Sequence, residues 1–194
     1  RLGGVDGVGL YKDVARIIED YWGPRRHCRE IVIHRTARAK QRSGRRWVHP
    51  DLVMECHPGR KSHPDVEKLI HTFEVETARG FGIDSVYQAH AQGRGADFSW
   101  VLFQRGADIE SSNHPDWARI LWAAKELGVG LVGFSKSSSV STWDVEREAK
   151  RRNHTKAERQ GFLETVLART VIEATGWPLH PRPGGSSAAH LPSR

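Results

Sequence analysis

A chain of 194 residues with 38% hydrophobic residues and seven tryptophans is long enough for one globular domain with a full core. No apolar run approaches the roughly 20 residues that cross a bilayer, so we expect no membrane span and a soluble protein. The 30 Lys plus Arg against 23 Asp plus Glu give a net charge of +7, a field that favours polyanions, with nucleic acid as the leading candidate. A merely soluble basic protein is the alternative, and charge alone does not decide between the two.

The chain starts without an initiator Met or a charged-then-apolar leader, so we expect a fragment, a processed form or a trimmed chain, and secretion is not indicated. Cys28 and Cys56 are too few for a disulfide framework and fit a reducing compartment, which predicts a cytoplasmic protein. The pairs His27-Cys28 and Cys56-His57 could supply four zinc ligands. Adjacent residues cannot easily aim at one ion, so zinc is the weaker interpretation.

The first half of the chain predicts one helix and three strands. Apolar residues recur at helical spacing in "YKDVARIIEDYW" (11–22), and Gly23-Pro24 ends this helix. Two β-rich runs joined at Ser43-Gly44 form a long hairpin. A loop over 55–68 then leads to the third strand, "KLIHTFEVET".

The second half predicts a β-α-β unit preceded by a short helix in "GIDSVYQAHAQG". The run "FSWVLFQ" is continuously apolar, as expected of a strand covered on both faces. A helix capped by Asn113 and ended by Gly128 follows, and then the buried strand "VGLVGFS". The two strands of this unit are predicted to be parallel.

After Ser135 we expect a polar linker and two further helices, the second opened by Thr155 and Glu158 at capping-box spacing and ended at Gly176. The tail is poor in large apolar residues and is predicted to be disordered. The fold class is therefore α/β, a mixed sheet flanked by helices with a C-terminal helical extension. The predicted parts are a core over 1–135, the extension over 136–177 and the tail over 178–194.

Acidic residues in two strands are the first candidates for chemistry. Side chains alternate along a strand, so Glu74 and Glu76 share one face while Phe73 and Val75 point into the core. If the strand that begins near Trp47 lies beside this one, Asp51 at the matching end could come within metal-ligand range of Glu74. Clustered carboxylates repel one another, and Mg²⁺ is the usual compensation. The alternative, which alternation alone favours, is that all three acids are exposed positions on a half-buried sheet.

The order of elements, with Pro50-Asp51 and Glu74-Val75-Glu76, resembles the PD-(D/E)XK nuclease superfamily, which has the restriction-endonuclease-like fold. The resemblance spans about residues 11–135. It implies that Asp51 and Glu74 are ligands of a catalytic Mg²⁺, for which Mn²⁺ could substitute, and that DNA is the substrate.

Glu76 departs from the family pattern, because a Lys that orients the attacking water or stabilises charge usually stands there. Some restriction enzymes of the superfamily carry Glu-x-Glu and are active, so Glu76 could be a general base or an outer ligand of the metal. Glu19 and Gln88 loosely match auxiliary residues of some relatives, although each also fits an ordinary surface position. Candidates for the missing cation are Lys68, Arg79 and Arg94.

Cations of the predicted hairpin form a candidate DNA-binding surface. Arg38, Lys40 and Arg42 alternate onto one strand face, and Arg45 and Arg46 lie just beyond the turn, an arrangement suited to phosphates. The alternative is that these residues protect an exposed strand edge. Two tryptophans are further candidates for contact with DNA: Trp47 and Trp143.

The sequence thus predicts a Mg²⁺-dependent DNA endonuclease in which Asp51 and Glu74 bind the metal and Glu76 assists. A restriction enzyme is one form that such an endonuclease could take. DNA is the expected partner, no membrane is involved, and a homodimer is left open. The first alternative is a binding module on the same fold that has lost catalysis. A small zinc-stabilised interaction domain is the third.

Overall fold

The computed structural model describes residues 5–36, 49–58, 68–106 and 114–167. The helical elements are α1 (Val5–Ile17), a π-helical turn (Ile18–Trp22), α2 (Gly23–Arg25), α3 (Ile83–Gln92), α4 (Trp117–Leu127), a 3₁₀ turn (Val140–Thr142) and α5 (Lys156–Leu167). The strands are β1 (Cys28–Arg35), β2 (Leu52–Pro58), β3 (Leu69–Glu76), β4 (Phe98–Gln104), β5 (Gly130–Phe134) and β6 (Trp143–Arg147).

The six strands form one mixed sheet in chain order. The first three are antiparallel neighbours, β3, β4 and β5 run parallel, and β6 returns antiparallel to β5. The predicted pairing of the two hairpin strands and the predicted parallel pair of the β-α-β unit are therefore confirmed. The α/β class, with helices flanking a mixed sheet, is confirmed as well.

Helices cover both faces of the sheet because its central strands are apolar on both sides. Trp100 and Leu102 of β4 pack in one cluster with Val14 and Ile18 from the first helical run. Val101 and Phe103 face the opposite way and pack against α3 and α4. This alternation explains why the continuous run "FSWVLFQ" is buried on both faces.

The last described helix packs on the sheet near its first strands. Leu163 and Val166 of α5 join a cluster with Val53 of β2 and Ile70 of β3. Glu158 Oε2 accepts a hydrogen bond from Thr155 N at 2.7 Å, and Glu158 N donates to Thr155 Oγ1 at 3.2 Å, which confirms the predicted capping box.

The linker and helix predicted after Ser135 would end the sheet at that residue, but the sheet continues beyond it. The segment folds instead into β6, whose Asp144 and Glu146 each bind the Arg105 guanidinium at 2.5 Å. A short strand stabilised by ion pairs to a distant arginine carries little hydrophobic signal, so composition alone suggests a linker. Three predicted features lie outside the described residues: the Asn113 cap, the helix end at Gly176 and the tail 178–194.

The first helix also continues further than predicted. Pro24 lies in the first turn of α2, a place that accepts proline because the missing N–H has no helical partner there. Gly23 therefore does not end the helical run. Within the described residues, no helix is long and apolar enough to cross a membrane.

The two cysteines form a disulfide between β1 and β2, so the interpretation of Cys28 and Cys56 as reduced thiols is wrong. Both side chains are buried, and their Cα atoms lie 5.4 Å apart. The bond occupies both sulfurs, which removes the two cysteine ligands from the predicted zinc set. Spacing could not reveal the pair, because strand register brings the two residues together across a separation of 28.

Replacing Cys28 and Cys56 together with serine should lower the free energy of unfolding by about 2–4 kcal/mol, because the bond closes a loop of this length in the unfolded chain. Chemical denaturation of both proteins under non-reducing conditions measures the difference. The wild-type protein with a reductant should match the variant. Equal stability of the variant and the oxidised wild type would show that the disulfide does not stabilise the fold.

Candidate functional site

The carboxyl end of β3 carries two of the predicted acids on one face of the sheet. Phe73 and Val75 point into the core beneath the first helical run, as predicted. Glu74 and Glu76 therefore point the other way, toward α3. Only 2% of Glu74 is exposed, whereas Glu76 is partly exposed.

Asp51 lies at the start of the neighbouring strand and is 3% exposed. The register pairs Leu52 with Phe73, so continuing it by one residue sets Asp51 opposite Glu74. Two hydrogen bonds hold it there: Asp51 N donates to Phe73 O at 3.0 Å, and Val75 N donates to Asp51 Oδ2 at 2.9 Å. Residues opposite each other on antiparallel strands share a face, so both carboxylates project from the same side.

Hydrogen bonds from Thr36, the residue that follows β1, hold the turn that leads into β2. Thr36 N donates to Asp51 O at 2.9 Å, and Thr36 Oγ1 donates to Pro50 O. The backbone around Pro50-Asp51 is thus hydrogen-bonded to both adjacent strands. This support keeps a buried carboxylate at one position relative to β3.

The alternative of three exposed acids is wrong for Asp51 and Glu74, which are buried. A carboxylate taken out of water costs free energy unless donors compensate it. The Gln88 amide of α3 is one such donor, and it binds Glu74 Oε1. Gln88 is therefore partly buried and in contact with Glu74.

Glu76 lies against the amino-terminal end of α3. Its Oε1 accepts a hydrogen bond from Ser85 Oγ at 3.4 Å. A Cβ atom on Gly80 would come within 2.7 Å of Glu76 Oε2, so a larger residue at position 80 would require the Glu76 carboxylate to shift. Helix amino termini stabilise negative charge, which gives Glu76 a structural partner as well as a place beside Glu74.

Tyr11 and Arg35 join the site without any sequence signal. Burial raises the pKa of the Tyr11 hydroxyl far above its ordinary value, and the charges of Asp51, Glu74 and Glu76 raise it further. Burial and the three negative charges both favour the protonated form of this hydroxyl. The Arg35 guanidinium lies 4.9 Å from the centre of the Tyr11 ring and opposes the shift.

The structure describes all three cations that the sequence offers in place of the missing Lys. Lys68 binds Glu55 Oε2, while Arg79 and Arg94 are exposed. Arg35, at the end of β1, is the cation that the structure places beside Tyr11. Glu19 is exposed in the π-helical turn, so it is a solvated helix residue.

Glu55 forms a second buried acidic group on β2, separate from the site. The hydrogen bond from His34, at 2.7 Å, lowers the pKa of Glu55 to about 2; burial opposes this shift and Lys68 adds to it. The folded pKa is below the ordinary value of 4.5, so the carboxylate stabilises the fold above pH 4.5. This contribution is lost as the pH falls from 4.5 through about 2.

Glu55→Gln should therefore flatten the acid limb of the stability curve. We expect wild type to lose on the order of 2 kcal/mol more than the variant between pH 5 and pH 2. Urea unfolding at a series of pH values measures this difference. Parallel curves for the two proteins would contradict the assignment.

Oxygen ligands at the site suit a hard cation. Mg²⁺ is usually bound through one or two carboxylates together with water and substrate phosphates. Across the described ranges, no three or more His, Cys, Asp or Glu side chains form a group that could hold a metal by themselves. Asp51 and Glu74 are the buried carboxylates among the residues that the sequence predicted as metal ligands.

The predicted DNA-binding cations all belong to a stretch outside the described residues: Arg38, Lys40, Arg42, Arg45 and Arg46. Trp47 lies outside them as well. Trp143 is described, and Phe134 stacks on one face of its ring with the ring centres 5.2 Å apart.

Comparison with known proteins gives one structural neighbour and no family. No family model matches the chain, and no curated protein matches it. A solved structure of a protein of unknown function from Silicibacter pomeroyi is similar at 14% identity and a TM-score of 0.44. The match covers 87% of this chain and 94% of that one.

Proposed function

We propose that the protein is a Mg²⁺-dependent DNA endonuclease of the PD-(D/E)XK type, with a restriction-endonuclease-like fold. The observation that supports this most is the pair of buried carboxylates, Asp51 and Glu74, opposite each other on adjacent strands. Hydrophobic burial alone does not favour acids at such positions, so their burial favours a use in chemistry. Gln88 and Tyr11 add neutral hydrogen-bonding groups around them.

In this proposal Asp51 and Glu74 hold Mg²⁺, or Mn²⁺ in its place. When bound, the ion would lower the pKa of water and offset the charge that develops on the phosphate. Glu76 accepts a proton from the attacking water or orients it, the new P–O bond forms, the bond to the leaving oxygen breaks, and that oxygen takes a proton from solvent. The Tyr11 hydroxyl remains protonated and can donate a hydrogen bond. Arg35 supplies the positive charge that a Lys at position 76 would otherwise provide.

DNA contact in this proposal is made by the hairpin cations: Arg38, Lys40, Arg42, Arg45 and Arg46. A net charge of +7 favours this partner. A restriction enzyme and a homodimer are both compatible with the proposal. A cytoplasmic location is also part of it, although the Cys28–Cys56 disulfide counts against a reducing compartment.

The second candidate function is a DNA-binding module without catalysis. The contact between Glu76 and Ser85 supports it, because an acid held at a helix terminus need not take part in a reaction. Incubation of supercoiled plasmid with the protein and Mg²⁺ separates the two candidates. We expect nicking that stops with EDTA and returns with added Mg²⁺; binding of plasmid without nicking would favour the module.

Glu76→Lys restores the residue that the superfamily usually carries. In an active enzyme it should reduce nicking at least about tenfold, because a base or outer metal ligand is lost. In an inactive module it should instead create weak Mg²⁺-dependent nicking. Plasmid nicking by the variant gives the answer directly.

Glu76→Gln is the matched control, since it keeps a side chain that can bind Ser85 but removes the charge. The lysine places a positive charge at a helix amino terminus, which costs only about 0.3–1 kcal/mol, so both variants should fold. Unchanged nicking in both variants would remove Glu76 from the mechanism.

A further inference from the structure

A second candidate site lies beside the π-helical turn, between the first helical run and β6. It is a pocket of about 260 Å³ whose lining includes Tyr21, Trp22, Arg25, Trp143 and Val145. The catalytic proposal uses none of these residues.

The lining leaves large apolar side chains in contact with solvent. Tyr21 is 46% exposed and Val145 is 42% exposed. Single exposed hydrophobic residues are common, but these two line the same pocket as the rings of Trp22 and Trp143. Phe134 covers one face of the Trp143 ring, and Trp22 packs edge-on against Trp100 with ring centres 5.0 Å apart. Both indoles are thereby held in place, while Tyr21 has the largest accessible ring surface.

The charges around the pocket are unequal. Arg26 Nη2 donates to both oxygens of Glu148, at 2.9 and 2.8 Å, and the guanidinium lies 4.2 Å from the centre of the Trp22 ring. Arg26 is therefore fixed and its charge is matched. Arg25 is exposed and makes no ion pair with any described residue, so the pocket rim carries one unmatched positive charge.

From these features we propose that the pocket binds an unpaired nucleotide, with the base against Tyr21 and Trp143 and the phosphate near Arg25. Aromatic rings bind bases through their faces whatever the base, and an exposed arginine suits a phosphate. The inference rests on the proposed function, because it names a feature of the substrate: a strand with at least one base outside a duplex.

The pocket lies on a different face of the sheet from the two glutamates. Tyr21 belongs to the first helical run, whereas Glu74 and Glu76 point toward α3. A nucleotide in the pocket would therefore have left the duplex that lies at the carboxylates. An enzyme of this kind would prefer DNA with a frayed, gapped or single-stranded segment over an unbroken duplex.

Direct binding measurements test the proposal. The full chain is titrated, with EDTA present to prevent cleavage, into a labelled eight-nucleotide oligothymidine, and fluorescence anisotropy is recorded. Tyr21→Ala should weaken binding roughly 5- to 150-fold, the range of one base–aromatic stack, and Arg25→Ala should weaken it and reduce its salt dependence. Trp122→Ala removes a tryptophan that is 61% exposed on α4, across the sheet from the pocket, and should bind like wild type.

Three competitors distinguish the sources of the nucleotide. A blunt duplex of the same length should compete weakly, whereas unlabelled oligothymidine should compete fully. Thymidine monophosphate that competes as well as the oligonucleotide, mole for mole, would overturn a strand as the ligand. Wild-type binding by both Tyr21→Ala and Arg25→Ala, or an equal loss in Trp122→Ala, would overturn the pocket.

The result is separable from the proposed function. If plasmid nicking requires Mg²⁺ but the pocket variants bind oligothymidine normally, only the pocket proposal fails. If Tyr21→Ala loses oligothymidine binding while no condition gives nicking, catalysis fails and the nucleotide site remains. Thermal unfolding of each variant checks that these exposed substitutions leave the fold intact.

Discussion

Glu74→Ala should reduce Mg²⁺-dependent nicking of plasmid more than about 100-fold. Loss of a residue that only orients a metal ligand typically costs 10- to 100-fold, and Glu74 is proposed as a ligand itself. Removing its charge should also lower Mg²⁺ affinity and relieve repulsion from Asp51 and Glu76. Metal-free DNA binding should therefore stay the same or improve slightly. Nicking assays over a Mg²⁺ series, with gel-shift assays in EDTA, measure the two effects.

Two further variants make the result specific. Glu74→Gln keeps the volume and removes the charge, so it should lose nicking without the packing defect that alanine can introduce. Glu126→Ala removes an exposed acid on α4 and should behave as wild type. Nicking by Glu74→Ala at the wild-type rate would refute the proposed mechanism, whatever the DNA affinity.

Local patterns were enough to predict much of the site. Alternation along β3 correctly placed Glu74 and Glu76 on the face opposite Phe73 and Val75. The hairpin and the Pro-Asp start of β2 placed Asp51 at the adjacent strand end. These predictions needed only a period of two and a pairing of neighbours, which are properties of short segments.

Burial and partners could not be predicted in the same way. Tyr11 fits the apolar stripe of its helix, and Arg35 is one of two arginines on β1, so neither differs locally from a structural residue. The contact between them arises from the packing of α1 on the sheet. The same holds for the Cys28–Cys56 bond, which depends on register across a hairpin whose turn carries no cysteine.

Asp97 is a further buried acid that no pattern indicated, and it is fully buried between β3 and α5. Its Oδ2 accepts a hydrogen bond from Ile70 N at 2.9 Å, and both its oxygens bind the Arg159 guanidinium at 2.9–3.1 Å. Asp97 therefore connects the strand that carries Glu74 to the helix that packs on it. All of its donors come from segments distant in sequence, which explains why sequence reasoning missed it.

Asp97→Ala should lower the free energy of unfolding by about 3–5 kcal/mol. The reason is that the Arg159 guanidinium and the Ile70 amide would lose the buried carboxylate that accepts their hydrogen bonds. Urea denaturation measures the change. Arg159→Ala should also destabilise, and the double variant should cost less than the sum of the two single changes, since one interaction is lost only once.

The matched control is an ion pair at the surface. Asp116 and Arg119 are 3.3 Å apart with side chains 48% and 72% exposed, so Asp116→Ala should change stability by less than about 1 kcal/mol. A similarly small effect for Asp97→Ala would mean that solvent or a neighbouring group replaces the carboxylate. In that case α5 would be held on the sheet by its apolar side chains, Leu163 and Val166 among them, and the buried Asp97–Arg159 pair would have no stabilising role.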